Sequence, residues 1–209
     1  MPKTPIRVLC VEDHAVVREG IALIIDMQPD MEVVATAATG EAALVLYRQH
    51  RPSVTLMDLQ LPGISGLETI KAIRESDRDA RIIVLTMYEG DEDIFRALQA
   101  GAATYLLKNT LSDDLVRVVR EVHDGAHPIS DEIAERLAAR KLESALTQRE
   151  IEVLELLAKG MRNKEIGAKL GITEETAHGY IKSIFQKLKV QDRTAAVTVG
   201  LRRGIIHLS

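Results

Sequence analysis

Val54-Thr55-Leu56-Met57-Asp58-Leu59-Gln60-Leu61-Pro62-Gly63-Ile64-Ser65-Gly66-Leu67-Glu68 decides the fold. A short apolar run, Val54–Met57, ends beside an acid. Ser65 and Glu68 then stand at capping-box spacing, so a strand feeds a helix that carries its apolar face over Ile64–Ser76. Outward from this unit the alternation repeats. Strands are expected at Ile6–Val11, Glu32–Ala37, Arg81–Leu85 and Thr104–Leu107, with helical periodicity between them as far as residue 124. The pattern predicts an α/β doubly wound, five-stranded parallel sheet. The continuous apolar character of its strands implies burial on both faces.

The strand signal stops near Asp124-Gly125-Ala126-His127-Pro128. Three parts are expected: an α/β domain over 1–124, a partly helical linker over 125–145 and a small all-α domain over 146–209. The overall charge of −4 conceals an asymmetry. Residues 1–125 hold 13 Lys and Arg against 20 Asp and Glu, whereas residues 126–209 hold 14 against 11. An acidic half suited to a cation precedes a basic half suited to a polyanion. No apolar run approaches the roughly 18 residues of a membrane span, and the opening Met-Pro-Lys-Thr-Pro lacks a secretory core, so a cytoplasmic protein with no membrane partner is expected. The single cysteine, Cys10, lies inside a strand and reads as a buried, inert thiol. The histidines at 14, 50, 123, 127 and 207 have no metal-ligand spacing, and no zinc is expected.

Functional groups of an open parallel sheet gather beyond the carboxyl ends of its strands. Here Glu12 and Asp13 follow the first strand, Asp58 the third, Thr86 the fourth and Lys108 the fifth. Clustered carboxylates recruit a hard divalent cation, and Mg²⁺ prefers carboxylates together with water and phosphate oxygens. An Asp carboxylate is a competent nucleophile toward phosphorus, with Mg²⁺ and a lysine offsetting charge on the phosphoryl oxygens. Thr86 supplies a hydroxyl for one of those oxygens.

The motifs Val-Glu-Asp-His, Met-Asp-Leu-Gln-Leu-Pro-Gly-Ile-Ser-Gly, Val-Leu-Thr-Met and Tyr-Leu-Leu-Lys resemble the receiver domains of two-component response regulators across residues 6–124. The resemblance implies a flavodoxin-like fold with Asp58 as phosphoacceptor. It implies Mg²⁺ on Glu12, Asp13, Asp58 and the backbone carbonyl of Gln60, with Lys108 on the phosphate and Thr86 and Tyr105 as switch residues. Two positions depart from the common pattern: Glu12, where many receivers have Asp, and Asn109, where many have Pro after the lysine. Gln60 and Tyr88 match positions that tune dephosphorylation in the family, and they read equally well as solvated loop residues.

In the second half, Thr147 and Glu150 form another capping-box pair, Gly160 and Gly171 are helix stops, and Thr173 is the next cap. Apolar Ala177, Ile181, Ile184 and Leu188 recur at helical spacing and leave His178, Gly179, Lys182 and Ser183 on the exposed side. This is a helix-turn-helix pattern, and residues 146–203 resemble the LuxR-type DNA-binding domain of the NarL-type subfamily. The resemblance implies a recognition helix from about Thr173, with Thr173, Thr176, His178, Gly179, Lys182 and Lys187 toward DNA. Arg162, Asn163 and Lys164 suit backbone phosphate. His178 and Ser183 replace residues common in the family. A last helix near Thr194–Arg203 is implied in pairing.

Together these readings predict a phosphorylation-dependent transcriptional regulator and no enzyme. Its expected partners are a cognate sensor histidine kinase, double-stranded DNA and a second copy of itself on activation. Two alternatives stand beside it: a regulator whose receiver works without phosphorylation, and an Asp-nucleophile phosphatase. The phosphatase is opposed by the lack of a second acid two residues after Asp58 and of a glycine-rich phosphate loop.

Overall fold

The structure, a computed structural model, describes residues 4–87, 90–109, 112–128 and 146–206. The chain divides into two compact units, each described by itself. The first holds β1 (Ile6–Val11), α1 (Ala15–Asp26), β2 (Met31–Ala37), α2 (Gly40–His50), β3 (Val54–Asp58), α3 (Gly66–Ser76), β4 (Ile82–Thr86), α4 (Asp91–Gln99, from Ile94 onward in this unit), β5 (Thr104–Leu107) and α5 (Ser112–His123). All strand pairs are parallel in the order β2-β1-β3-β4-β5. The expected doubly wound sheet is present.

Every residue of β3 and β4 is buried, as near-continuous runs of Val, Ile and Leu require when helices cover both faces. The expectation of two-sided burial fails at the edges. In β2, Glu32 and Thr36 are exposed, and in β5 Leu106 and Leu107 are only half-buried, because an edge strand has a neighbour on one side alone. Ile21 and Ile25 of α1 and Val116, Val119 and Val122 of α5 pack with Val8, Cys10, Leu56 and Ile83 in one core. Side chains alternate along a strand, so Leu9 and Met57 face the opposite side, where α2 and α3 bury Ala43, Tyr47, Ile70 and Ile73. Each such fully buried aliphatic side chain contributes roughly 1.5–3 kcal/mol.

Helix α3 begins at Gly66, two residues later than the periodicity implies, because Ser65 is its cap: Ser65 Oγ accepts from Glu68 N–H at 3.3 Å and Glu68 Oε2 accepts from Ser65 N–H at 2.9 Å. Gly66 is required by close approach, since a Cβ there would overlap the carbonyl oxygen of Asp58. No cis peptide bond occurs among the described residues, so Lys108–Asn109 is trans.

The second unit holds α6 (Gln148–Ala158), α7 (Asn163–Leu170), α8 (Glu174–Leu188) and α9 (Arg193–Arg202). Its core joins Leu154 and Leu157 of α6, Ile166 of α7, Ala177, Ile181, Ile184 and Leu188 of α8, and Ala196 of α9. Gly171 ends α7 with φ +67° and Thr173 caps α8, which makes the tight turn of a helix-turn-helix. Of the expected linker, residues 129–145 lie outside the described residues.

Candidate functional site

Strand register assembles the acidic site. Val11 pairs with Met57, Asp58 with Leu85, and Thr86 with Leu107, so β1, β3, β4 and β5 end together. Lys108 N–H extends the ladder by donating to Thr86 O at 2.9 Å. Glu12, Asp58, Thr86 and Lys108 are therefore delivered to one rim, and Glu12 and Asp58 flank the β1/β3 switch point where the winding reverses.

The Lys108 ammonium contacts Asp58 Oδ2 at 2.8 Å and Glu12 Oε2 at 2.7 Å. Asp58, Glu12 and Thr86 are buried, at 3%, 1% and 0% exposure. Burial pushes the Asp58 carboxyl above its ordinary range against the pull of Lys108, and Glu12 adds to the rise. Burial pulls Lys108 down, but its bonds to Asp58 and Glu12 outweigh that and hold it above its ordinary value. One cation thus serves two carboxylates, with Asp13 a third on the rim. Gln60 is exposed, and its N–H donates to Asp58 Oδ1 at 3.3 Å. Tyr105 is buried in β5. Tyr88 and His207 lie outside the described residues.

The donor set suits a hard divalent ion. Asp13 Oδ1 is buried without an aligned hydrogen-bond donor, and Glu12 Oε2 has only the ion contact with Lys108. Surplus buried carboxylate oxygen of this kind fits Mg²⁺. One neighbour escaped the spacing argument. His14 folds back so that Nδ1 lies 2.7 Å from Asp13 Oδ1 and 3.3 Å from Glu12 Oε1. The ligand atoms of Glu12, Asp13 and His14 all fall within 4.8 Å of one another. Arg18 closes the turn by donating to Glu12 O at 2.5 Å and Asp13 O at 3.2 Å. The buried Cys10 thiol is pushed up to about 12 by burial and then by Glu12, so it is inert as expected.

On α8, Thr173, Thr176, His178, Gly179 and Lys182 are exposed. The Thr173 hydroxyl is engaged in the cap with Thr176, accepting its N–H at 3.1 Å. On α7, Arg162 is the N-cap residue, Lys164 is exposed and Asn163 half-buried. Two residues expected on the outer face turn inward instead. Ser183 Oγ donates to Glu150 Oε1 at 2.6 Å, and the Lys187 ammonium lies 2.7 Å from Glu150 Oε2. Burial raises the Glu150 carboxyl, but Lys187, Ser183 and Thr147 together outweigh it and hold it at about 2. These contacts span 33 and 37 residues of chain, so helical spacing gave no sign of them.

Residues 8–120 match the response regulator receiver domain, and residues 144–199 match the bacterial regulatory proteins of the luxR family. The chain belongs to the two-component response regulators. The similarity runs the full length of its relatives. It is 37% identical to the uncharacterized transcriptional regulatory protein YxjL of Bacillus subtilis, over 99% of this chain and 100% of the relative. It is 36% identical to the nitrate/nitrite response regulator NarP of Escherichia coli, over 97% and 98%. Among solved structures, RcsB of Salmonella enterica serovar Typhimurium bound to promoter P1flhDC with phosphomimetic BeF3⁻ aligns with TM-score 0.69 at 26% identity, covering 94% and 98%. The response regulator therefore pairs a receiver with a LuxR-type DNA-binding domain and regulates transcription. Among its described residues no helix is long and apolar enough to cross a membrane.

Proposed function

We propose that the regulator accepts a phosphoryl group on Asp58 from a sensor histidine kinase and then binds a two-fold DNA site as a homodimer. The reading assigns receiver, linker and DNA-binding functions to 1–124, 125–145 and 146–209. It rests above all on one observation: Asp58, Glu12 and Lys108 meet at aligned strand ends, with more carboxylate than cation. Asp58 Oδ would attack phosphorus as the bond to the kinase histidine breaks and that imidazole keeps the electron pair. Glu12, Asp13, Asp58 and the Gln60 carbonyl would hold Mg²⁺, which supplies charge neutralisation at the phosphoryl oxygens when bound. Lys108 stays beside Asp58 and offsets the charge gained, and Thr86 offers its hydroxyl to one phosphoryl oxygen. Thr86 and Tyr105, on the neighbouring strands β4 and β5, carry the change outward as a shift between existing populations.

At the other end, Thr173, Thr176, His178, Gly179 and Lys182 face the major groove, while Arg162, Asn163 and Lys164 meet phosphate. Lys187 is reassigned from DNA contact to anchoring α8 on Glu150. Similarity to RcsB, which has been solved as two dimers bound to two parallel DNAs, supports duplex binding and pairing. The protein acts in the cytoplasm as a stoichiometric switch, not a turnover enzyme. Incubation with Mg²⁺ and a small phosphoryl donor should add one acid-labile phosphate, absent in Asp58→Ala. Unchanged labelling of that variant, or sustained turnover of phosphate esters, overturns the reading.

A further inference from the structure

Four of the 13 cationic residues of the acidic half gather at the pole of the sheet opposite Asp58. Arg74 and Arg78, one turn apart at the end of α3 and just beyond it, together with Arg81 before β4, line a cavity of about 470 Å³. Its floor is apolar: Ala80, Ala103 and Val122 are all buried. A neighbouring cleft of about 360 Å³ shares Arg74 and Arg78 and adds Lys71. The strand β4 that separates this pole from the phosphoacceptor rim spans ~16 Å.

The cavity is formed by specific placement. Arg74 Nη1 donates to Ala80 O at 3.0 Å, and the side chain lies across Gly101, where φ is +104° and a Cβ would come within 2.8 Å of Nε. The Arg78 and Arg81 side chains have no hydrogen bond or ion pair among the described residues. Asp77, which precedes Arg78, is occupied by the Tyr47 hydroxyl at 2.9 Å and by Asp79 N–H at 3.0 Å. Asp79 and Glu75, which line the cavity and the cleft, leave cations in excess. Grouped guanidinium forks with an apolar floor suit bidentate recognition of oxyanions.

We propose that this pole binds a compact, multiply charged oxyanion, a phosphorylated or polycarboxylate small molecule. Among the described residues the walls offer no aromatic ring except the exposed His127 imidazole, which argues against a nucleotide base. The test uses full-length protein carrying Asp58→Asn, with chelator present, so that the opposite rim takes no part. Titration calorimetry with pyrophosphate and with citrate in about 0.15 M salt should give one saturable site below about 1 mM. Preference for pyrophosphate assigns a phosphorylated ligand, and preference for citrate a polycarboxylate. R78Q/R81Q, at exposed positions, should weaken binding at least about tenfold, and amide shifts should centre on Ala80, Gly101 and Gly125. Unsaturable binding, unchanged affinity in R78Q/R81Q, or shifts centred on α8 would overturn the proposal.

Discussion

Lys108 Nζ lies 2.8 Å from Asp58 Oδ2, and the same ammonium is shared with Glu12. Removing it leaves two buried carboxylates facing each other without their cation, a change that typically costs about 3 kcal/mol or more. Lys108→Ala is therefore expected to lower the receiver's melting temperature in chelator. Added Mg²⁺ should restore part of the loss, because a divalent ion can replace the missing charge. Melting curves of both proteins with and without Mg²⁺ check this; an unchanged melting temperature counts against the shared-cation reading.

Asp58→Asn carries the opposite sign. Burial, the largest influence on Asp58, raises its carboxyl above the ordinary range. The folded receiver thus binds this proton more tightly than the unfolded chain, and stability falls as pH rises from the unfolded pKa through the folded one. At neutral pH the charge opposes folding, and the amide removes it while Glu12 keeps Lys108 occupied. The variant should melt a few degrees higher at pH 7, with the gain vanishing below the ordinary carboxylate range. Calorimetry across that span reads the difference.

What the sequence disclosed and what it hid divide along chain distance. Strand identity, the Ser65 and Thr147 caps and the Gly171 stop are local signals, set by burial period and backbone propensity, and all three caps are present. The meeting of Glu12, Asp58 and Lys108 was legible because parallel strands must end together. His14 gives no such signal, because its approach to Asp13 depends on a turn and not on helical spacing. Helical spacing alone puts Ser183 and Lys187 on the outer face, because their partner, Glu150, sits on another helix. The arginine-lined cavity is likewise assembled from α3, the loop before β4, the turn before β5 and the end of α5, which no single motif joins.

Glu150 makes the DNA-binding unit acid-sensitive. Its carboxyl is held at about 2, against an ordinary value of 4.5, by Lys187, Ser183 and Thr147 despite burial. A depressed folded pKa contributes stability that is present above pH 4.5 and is lost as pH falls toward 2. Glu150→Gln should flatten the unit's melting temperature across this window and lower it at pH 7. Glu150→Ala, which also removes the cap, is expected to cost about 2–3 kcal/mol. A pH series of melts that is steep in both wild type and Glu150→Gln would reject the assignment.

Lys182 and Lys187, five residues apart on α8, should separate cleanly. Lys182 is exposed and available to phosphate, whereas Lys187 pairs with Glu150. Lys182→Ala should weaken duplex binding and reduce the salt-dependence slope by about 0.9 without changing the melting temperature. Lys187→Ala should lower the melting temperature with little change in that slope. Fluorescence anisotropy over a salt series, paired with melts, distinguishes the two; exchanged phenotypes would refute the division.

Gly66 ties the phosphoacceptor loop to α3. Its N–H donates to Leu59 O at 3.0 Å, and a Cβ would meet the Asp58 carbonyl and the Leu59 Cα at 2.7 Å. Both obstacles are backbone, so no rotamer change relieves the overlap, and the loop must move away from the helix. Moving it displaces the Asp58 carboxylate from Lys108 and disturbs the Gln60 N–H bond. Gly66→Ala should cost about 3 kcal/mol and also slow labelling by a small phosphoryl donor. Gly20→Ala is the control, since a Cβ there has nothing within 4 Å and the backbone is helical. That substitution should be neutral or slightly stabilising, and equal effects at both glycines would mean that the close approach at residue 66 does not constrain the loop.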